Sequence, residues 1–421
     1  MDLKTVLCHL SIREHEAAFS PDWEASQKAR PGGPVGFLTP EYVAWACKAA
    51  CLPQDITQAV LTAARRITAD DALSALAWWC HHSLFRVEGK RPEVHKWPLL
   101  TAALDRDAGM FYVLVLLSGT PRMQAAHEAR KIPADIRRAT ALDLKRCMTL
   151  EDYPQEFGAW GITPRFVNWL MNHWRGHLYS LGRLQFIPSV FRGRVRAFRH
   201  RASRTVVALS EAGVRYRADG QIDGAGGVLD KEAAWTSSLT ITDHEIVGHP
   251  IAPTSYAMQK PLRLPANEWK QVLAPGDPVL DIHIPTGGPM DFQRCGESIH
   301  QALDFFPRHF PDKPFVAIMC HSWILDAQFE RLLPPTSNLV RFQKEVYLFP
   351  IAGSSEGVLR LIFGLKHYKD LAHAPRKTTM QRAFARHVES GGHFRGGGCF
   401  LFPEDLNWGS QFYRRQALPW Q

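Results

Sequence analysis

Residues 279–326 constrain the chain most, because they read as strand, glycine turn, helix, strand and the start of a further helix. Val279–Ile284 alternates, placing Asp281 and His283 on one face and Leu280, Ile282 and Ile284 on the other. Thr286-Gly287-Gly288-Pro289 breaks the strand, and Asp291 is suited to cap a helix that begins at Phe292. In that helix Phe292, Cys295, Ile299, Leu303 and Phe306 recur at helical spacing until Pro311 closes the run. Phe315–Met319 is a second strand, leading into Cys320-His321-Ser322-Trp323. A strand that opens through a glycine turn onto a helix start offers backbone N–H groups and the positive helix end to an anion.

The remainder divides by its periodicity. Residues 1–36 are mixed, end in ARPGGPVG, and are expected to be a loose lead-in. Residues 37–178 are helical almost throughout and predict an all-helical domain. Short strands are expected from residue 179 onwards, at Arg183–Val190, Val195–Phe198, Thr205–Leu209, Thr236–Thr242, Lys260–Leu264 and Trp269–Leu273. After the organising stretch come a helix Asp326–Leu333, a long strand Leu339–Ile351, a strand Val358–Phe363 and a helix Met380–Val388.

A net charge of +9 favours an anionic partner without choosing one. The N-terminus carries no sustained apolar stretch and the run Met110–Leu117 is too short to span a bilayer. A cytoplasmic protein with no membrane partner is therefore expected. Eight cysteines without a CxxC pair suggest neither a zinc ribbon nor a disulfide framework.

The strings HIPTGGPM, ALDFFPRHFP, CHSWILD and PPTSNLVRFQKEVYLFP resemble the GNAT-like C-terminal domain of a bacterial acyltransferase-domain family. LSGTPR and LYSLGRLQFIP resemble the helical N-acyltransferase N-terminal domain that accompanies it. The resemblance runs from about residue 40 onwards. It implies an α+β chain, with a GNAT-like mixed-sheet domain over 179–421 whose two central strands splay around a pantetheine arm. It also implies transfer of an acyl group, acetyl above all, from acetyl-CoA or another acyl-CoA to a small-molecule amine. The competing reading keeps the fold but loses the transfer, leaving a module that binds a metabolite or partner, or that runs another reaction in the same cleft.

Under the resemblance, Thr286, Gly287 and Gly288 are the pyrophosphate candidates, although the turn lacks the basic or glutamine residue and the further spaced glycines of a typical GNAT phosphate loop. Arg341 and Arg395 are further anion candidates, the latter because three glycines come after it and permit a close backbone approach. His283 and His321 are candidate proton acceptors for the attacking amine. Cys320 and Ser322 are candidates for a nucleophile or for a donor to the leaving thiolate. Strand alternation puts Cys320 and Ser322 on the face opposite His321. The bland alternatives are a structural cysteine, a tied-down histidine and an ordinary strand-to-helix turn.

Two other signals carry less. His244-Glu245 and His249 look like a zinc protease motif, but the histidines are one residue too far apart and Pro250 argues against a helix, so no metal site is assigned. The run FRGRVRAFRHRASR spans two strands and a turn, which divides its arginines among faces. A charged sheet edge is the expected explanation, with nucleic acid a minor one.

Overall fold

The computed structural model describes residues 1–86, 91–150, 152–354, 356–365 and 368–420. These form two compact units, residues 1–181 with 285–288, and residues 182–284 with 289–421.

The first unit is helical because its sequence repeats apolar residues at helical spacing and caps its helices locally. Thr39 accepts from Tyr42 N ahead of Pro40–Ala49, and Asp70 accepts from Ala72 N and Leu73 N ahead of Asp71–Phe85. In Gln54–Thr68 the buried residues are Ile56, Val60, Ala63, Ala64 and Ile67, a single stripe. Ala108–Leu117 is buried at every position and forms the middle of the core. Residues 1–36 are not a loose lead-in. They carry the helices Leu3–His9, Glu16–Phe19 and Trp23–Lys28, whose Val6, Leu7, Phe19 and Trp23 join the same core. Trp78 and Trp79 tie this segment down by donating to the Ser26 and Pro21 carbonyls at 2.7 and 3.0 Å. Helices of four to seven residues hold too few turns to show a period, which hides them in the sequence. No described helix is long and apolar enough to cross a membrane.

In the second unit, five strands are hydrogen-bonded in the order Leu184–Val190, Pro278–His283, Ala317–Ser322, Gly396–Leu401, Tyr347–Ile351. Pro278–His283 and Ala317–Ser322 run parallel, and the other pairings are antiparallel. The intervening helix Phe292–His309 buries Cys295, Ile299, Ala302 and Phe306, and Asp291 caps it by accepting from Arg294 N. A second sheet has the order Tyr256–Ala257, Pro250–Ala252, Val206–Ser210, Val195–His200, Trp269–Leu273.

Several expected elements change type. The expected long strand is a helix Asn338–Glu345 followed by the strand Tyr347–Ile351. Leu339, Val340, Phe342 and Gln343 are buried at helical spacing, whereas an apolar run that short also satisfies a strand pattern. Val358–Phe363 is helical rather than extended, and Gly364 stops it at φ 70°. The expected helix Asp326–Leu333 shrinks to Phe329–Leu332, since the Asp326 carboxylate binds Gln328 N and Arg395 N instead. The expected strand Thr236–Thr242 is two short strands, Trp235–Thr236 and Leu239–Ile241.

The arginine run is not a sheet edge. Val195–His200 lies between Val206–Ser210 and Trp269–Leu273, and Arg199 is buried in a two-pronged pair with Asp405 at 2.7 and 2.8 Å. Its guanidinium also lies 4.9 Å from the Phe402 ring centroid. Without Asp405, the buried Arg199 guanidinium would keep only the exposed Glu404 carboxylate, 3.1 Å away. Asp405→Ala is expected to cost about 3–5 kcal/mol in urea unfolding. Arg263→Ala, which breaks the exposed pair with Glu245, should cost about 1 kcal/mol or less.

Candidate active site

The parallel ladder between Pro278–His283 and Ala317–Ser322 pairs Val279 with Ala317, Leu280 with Ile318 and Asp281 with Met319, and then stops. Beyond that point each strand keeps only its outer partner. Ile282 and His283 pair with Phe186 and Gln185, whereas Cys320, His321 and Ser322 pair with Cys399, Gly398 and Gly397. The sheet therefore forks at its centre.

Laterally paired residues share a face and successive ones alternate. Asp281, His283, Met319 and His321 accordingly line one face of the fork. Phe349 stands on that face too, paired with Gly398, and its ring meets His321 edge-on at 5.6 Å. A Cβ on Gly398 would lie 2.3 Å from that ring, so only glycine admits it.

Burial raises the Asp281 carboxyl to about 6, against the opposing charge of Arg192. Burial also lowers the His321 pKa, although the residue is exposed at the surface, and Arg192 acts in the same direction. Near neutral pH the imidazole is therefore uncharged, with a nitrogen able to take a proton. Asp281, shared by face with His283, and Arg192, within the arginine run, belong to this constellation although neither stood out as a candidate. An acid in the middle of an apolar strand was the available signal for Asp281.

Cys320 points to the opposite face, is 1% exposed, and pairs across strands with Cys399. Burial pushes its thiol well above the usual range, which suits a packed side chain rather than a nucleophile. Ser322 shares that face, and its hydroxyl accepts from Ile324 N, capping the turn Trp323–Leu325. The two histidines thus share one face of the fork, and the two smaller side chains lie on the other.

The turn after the first fork strand carries Gly287 at φ 94°, where a side chain would be strained. Thr286 Oγ1 accepts from Arg146 Nη1 at 2.6 Å. Arg146 lies on the helix Ala134–Leu150 and also donates through Nε to Asp143 at 2.8 Å. Asp143 is itself buried and accepts from His173 and from Trp169 Nε1. Burial opposes its ionisation, but His173 and Arg146 outweigh that and hold the carboxylate well below the ordinary range. Arg146 supplies the basic group that the turn's own sequence lacks. Nothing local to the turn could reveal it.

Arg341 and Arg395 are engaged elsewhere. The Arg341 guanidinium lies 3.8 Å from the Phe292 ring centroid, and it sits on a helix rather than at a strand entry. Arg395 donates its backbone N–H to Asp326 and its Nη2 to Asp219, at 2.7 and 3.1 Å. The glycines after it form the buried strand Gly396–Leu401, where a Gly397 Cβ would lie 2.0 Å from the Leu325 carbonyl oxygen. They admit another backbone. His244, Glu245 and His249 flank or open the strand Glu245–Gly248, so they do not share a helical face.

A helical unit followed by a forked mixed sheet is the architecture of a GNAT-like acyltransferase. Two family models match the chain, the GNAT-like C-terminal domain over residues 178–401 and the N-acyltransferase N-terminal domain over 43–176. The chain belongs to this family and is an N-acyltransferase. Solved structures of similar fold include an acyltransferase in complex with decanoyl-CoA and teicoplanin, 23% identical, covering 96% of this chain and 99% of that one at TM-score 0.65. A mutant acyltransferase in complex with octanoyl-CoA is 22% identical, with 96% and 99% coverage and TM-score 0.64. No curated protein matches the chain.

The raised carboxyl makes a stability prediction. Because the folded pKa of Asp281 lies above its unfolded value, its contribution is complete below about pH 4 and is lost as pH rises through about 6. Asp281→Asn removes that loss. Relative to wild type, the variant should gain stability between pH 4.5 and 7.5 by roughly 2 kcal/mol at most. Urea unfolding at the two pH values measures it; an unchanged difference would refute the half-buried, proton-holding carboxyl.

Proposed function

We propose that the protein transfers an acyl group from an acyl-coenzyme A to an amine, with the thioester lying in the fork between Pro278–His283 and Ala317–Ser322. The observation that carries this reading is the abrupt end of the parallel ladder after Asp281 and Met319, with His283 and His321 on one face beyond it. Where a ladder stops, the facing strand edges present backbone amide groups to whatever lies between them. An amide-bearing pantetheine arm can pair with such edges as an added strand does.

In the proposed reaction the amine nitrogen attacks the thioester carbonyl, the new C–N bond forms, and the C–S bond breaks to release the thiolate. His321, uncharged near neutrality, accepts the proton that the nitrogen gives up. Asp281 and Arg192 set the charge of that pocket, and His283 is the second proton acceptor on the same face. Direct attack is favoured over an acyl-cysteine route because the Cys320 thiol is buried on the other face.

The pyrophosphate is assigned to the Thr286-Gly287-Gly288 turn, with Arg146 as its cation. Asp291 already takes the Arg294 N–H at the start of the next helix, and the anion is assigned to the turn and Arg146 rather than to the helix end. For the acyl group, a medium-length chain replaces the acetyl group expected at first, because the structures of similar fold carry octanoyl- and decanoyl-CoA. One of them also holds teicoplanin, which supports an acceptor larger than a simple metabolite amine.

Release of CoA with acetyl-, octanoyl- and decanoyl-CoA as donors tests the donor. The longer chains are expected to give the higher kcat/KM, and a preference for acetyl would overturn that choice. His321→Gln should lower kcat by about 10²–10⁴ while leaving acyl-CoA affinity in place. Gly287→Glu should do the reverse, raising KM for the donor. If wild type binds no acyl-CoA in calorimetry, the reading fails.

A further inference from the structure

The helical unit contains a second feature that acyl transfer in the fork does not use. A cavity of about 320 Å³ is lined by Arg86, Arg91, Arg122, Arg175, His177 and Trp174, together with Ser83, Leu84, Phe85 and Ala126. Among the described residues, no acidic side chain lines it. Four arginines line it from separate segments, after Asp71–Phe85, within Thr120–Ala129 and at the end of Pro164–Trp174.

Two of the four have structural employment. Arg86 pairs with Asp22, and Arg122 donates to the Phe85 carbonyl at the end of its helix. Arg91 and Arg175 have no acidic partner among the described residues. Burial lowers the Arg175 pKa from its ordinary value, and the like charges of Arg91 and Arg122 lower it further. Trp174 is 1% exposed, and its indole N–H has no acceptor among the described residues. Arg91, Arg175 and the Trp174 indole therefore bring donors and positive charge to the lining without matching acceptors among the described residues. Such a group is costly to hold together unless something supplies negative charge and acceptor oxygens.

We propose that this cavity is an anion site that takes a phosphate group, with Arg91 and Arg175 as its principal ligands and the Trp174 indole as a further donor. Phosphate suits the set because its oxygens accept several guanidinium bonds at once, and planar guanidinium forks match it in geometry. The volume accommodates a phosphate or diphosphate with bound water. The group belongs either to a nucleotide or to a free phosphorylated compound, and the chemistry of recognition is the same for both.

Calorimetric titration of the full chain with inorganic pyrophosphate and with ADP tests the site, on wild type and on an Arg91→Gln/Arg175→Gln double variant. Loss of charge-assisted bonds should raise the Kd at least about tenfold in the double variant. Wild-type affinity should fall as salt rises. Tighter binding of ADP would identify a nucleotide as the source, and equal or better binding of pyrophosphate would identify a free phosphate. If the double variant does not fold, dicarbonyl modification of wild-type arginines read by mass spectrometry decides instead. Pyrophosphate should shield Arg91 and Arg175 where sodium chloride of equal ionic strength does not. Absence of binding by wild type, an unchanged Kd in a folded double variant, or absence of shielding overturns the proposal.

Discussion

The second unit depends on a parallel ladder that is allowed to fail in the middle of a sheet. Three residue pairs hold Pro278–His283 to Ala317–Ser322 before the strands part. A buried, unpaired edge is ordinarily a liability, because its backbone groups lose water without gaining partners. Here each strand is secured from outside, by Leu184–Val190 on one side and Gly396–Leu401 on the other. The glycines at Gly396–Gly398 are part of that security. Only their missing side chains allow the Phe349 ring and the Leu325 carbonyl to close against the outer strand. The fork stays open because everything around it is tightly packed.

Electrostatics then distinguishes the two faces of the fork. On one, burial makes Asp281 harder to ionise against the opposing charge of Arg192, and burial together with Arg192 makes His321 harder to protonate. On the other, the Cys320 and Cys399 thiols are sealed in apolar surroundings where ionisation is disfavoured. The same desolvation acts on both faces. It poises groups that reach solvent and silences those that do not.

Much of this is legible in the sequence. The strand, turn and capped helix of residues 279–309 form as their alternation and punctuation require, and the opposite orientation of Cys320 and His321 comes from strand geometry alone. The resemblance of HIPTGGPM and CHSWILD to the family already implies the fork. Legibility ends where the pattern is ambiguous. Leu339–Ile351 is apolar enough for either helix or strand, and its helical first half is fixed by its packing partners. The short helices before residue 30 have no periodicity to read. Arg196 and Arg199 look like a charged edge because the sequence does not show that Asp405 lies beside Arg199.

Sequence by itself determined the local geometry: which residues alternate, where a glycine must turn, where a helix is capped. It also determined the family, because those strings of residues carry it. Only the tertiary structure decided which charges meet. Arg199 and Asp405 are 206 residues apart, and Arg146 and Thr286 are 140 apart. Periodicity records the backbone's near neighbours. Ion pairing and desolvation depend instead on distances in space and on the exclusion of water, neither of which is fixed until the chain has closed on itself.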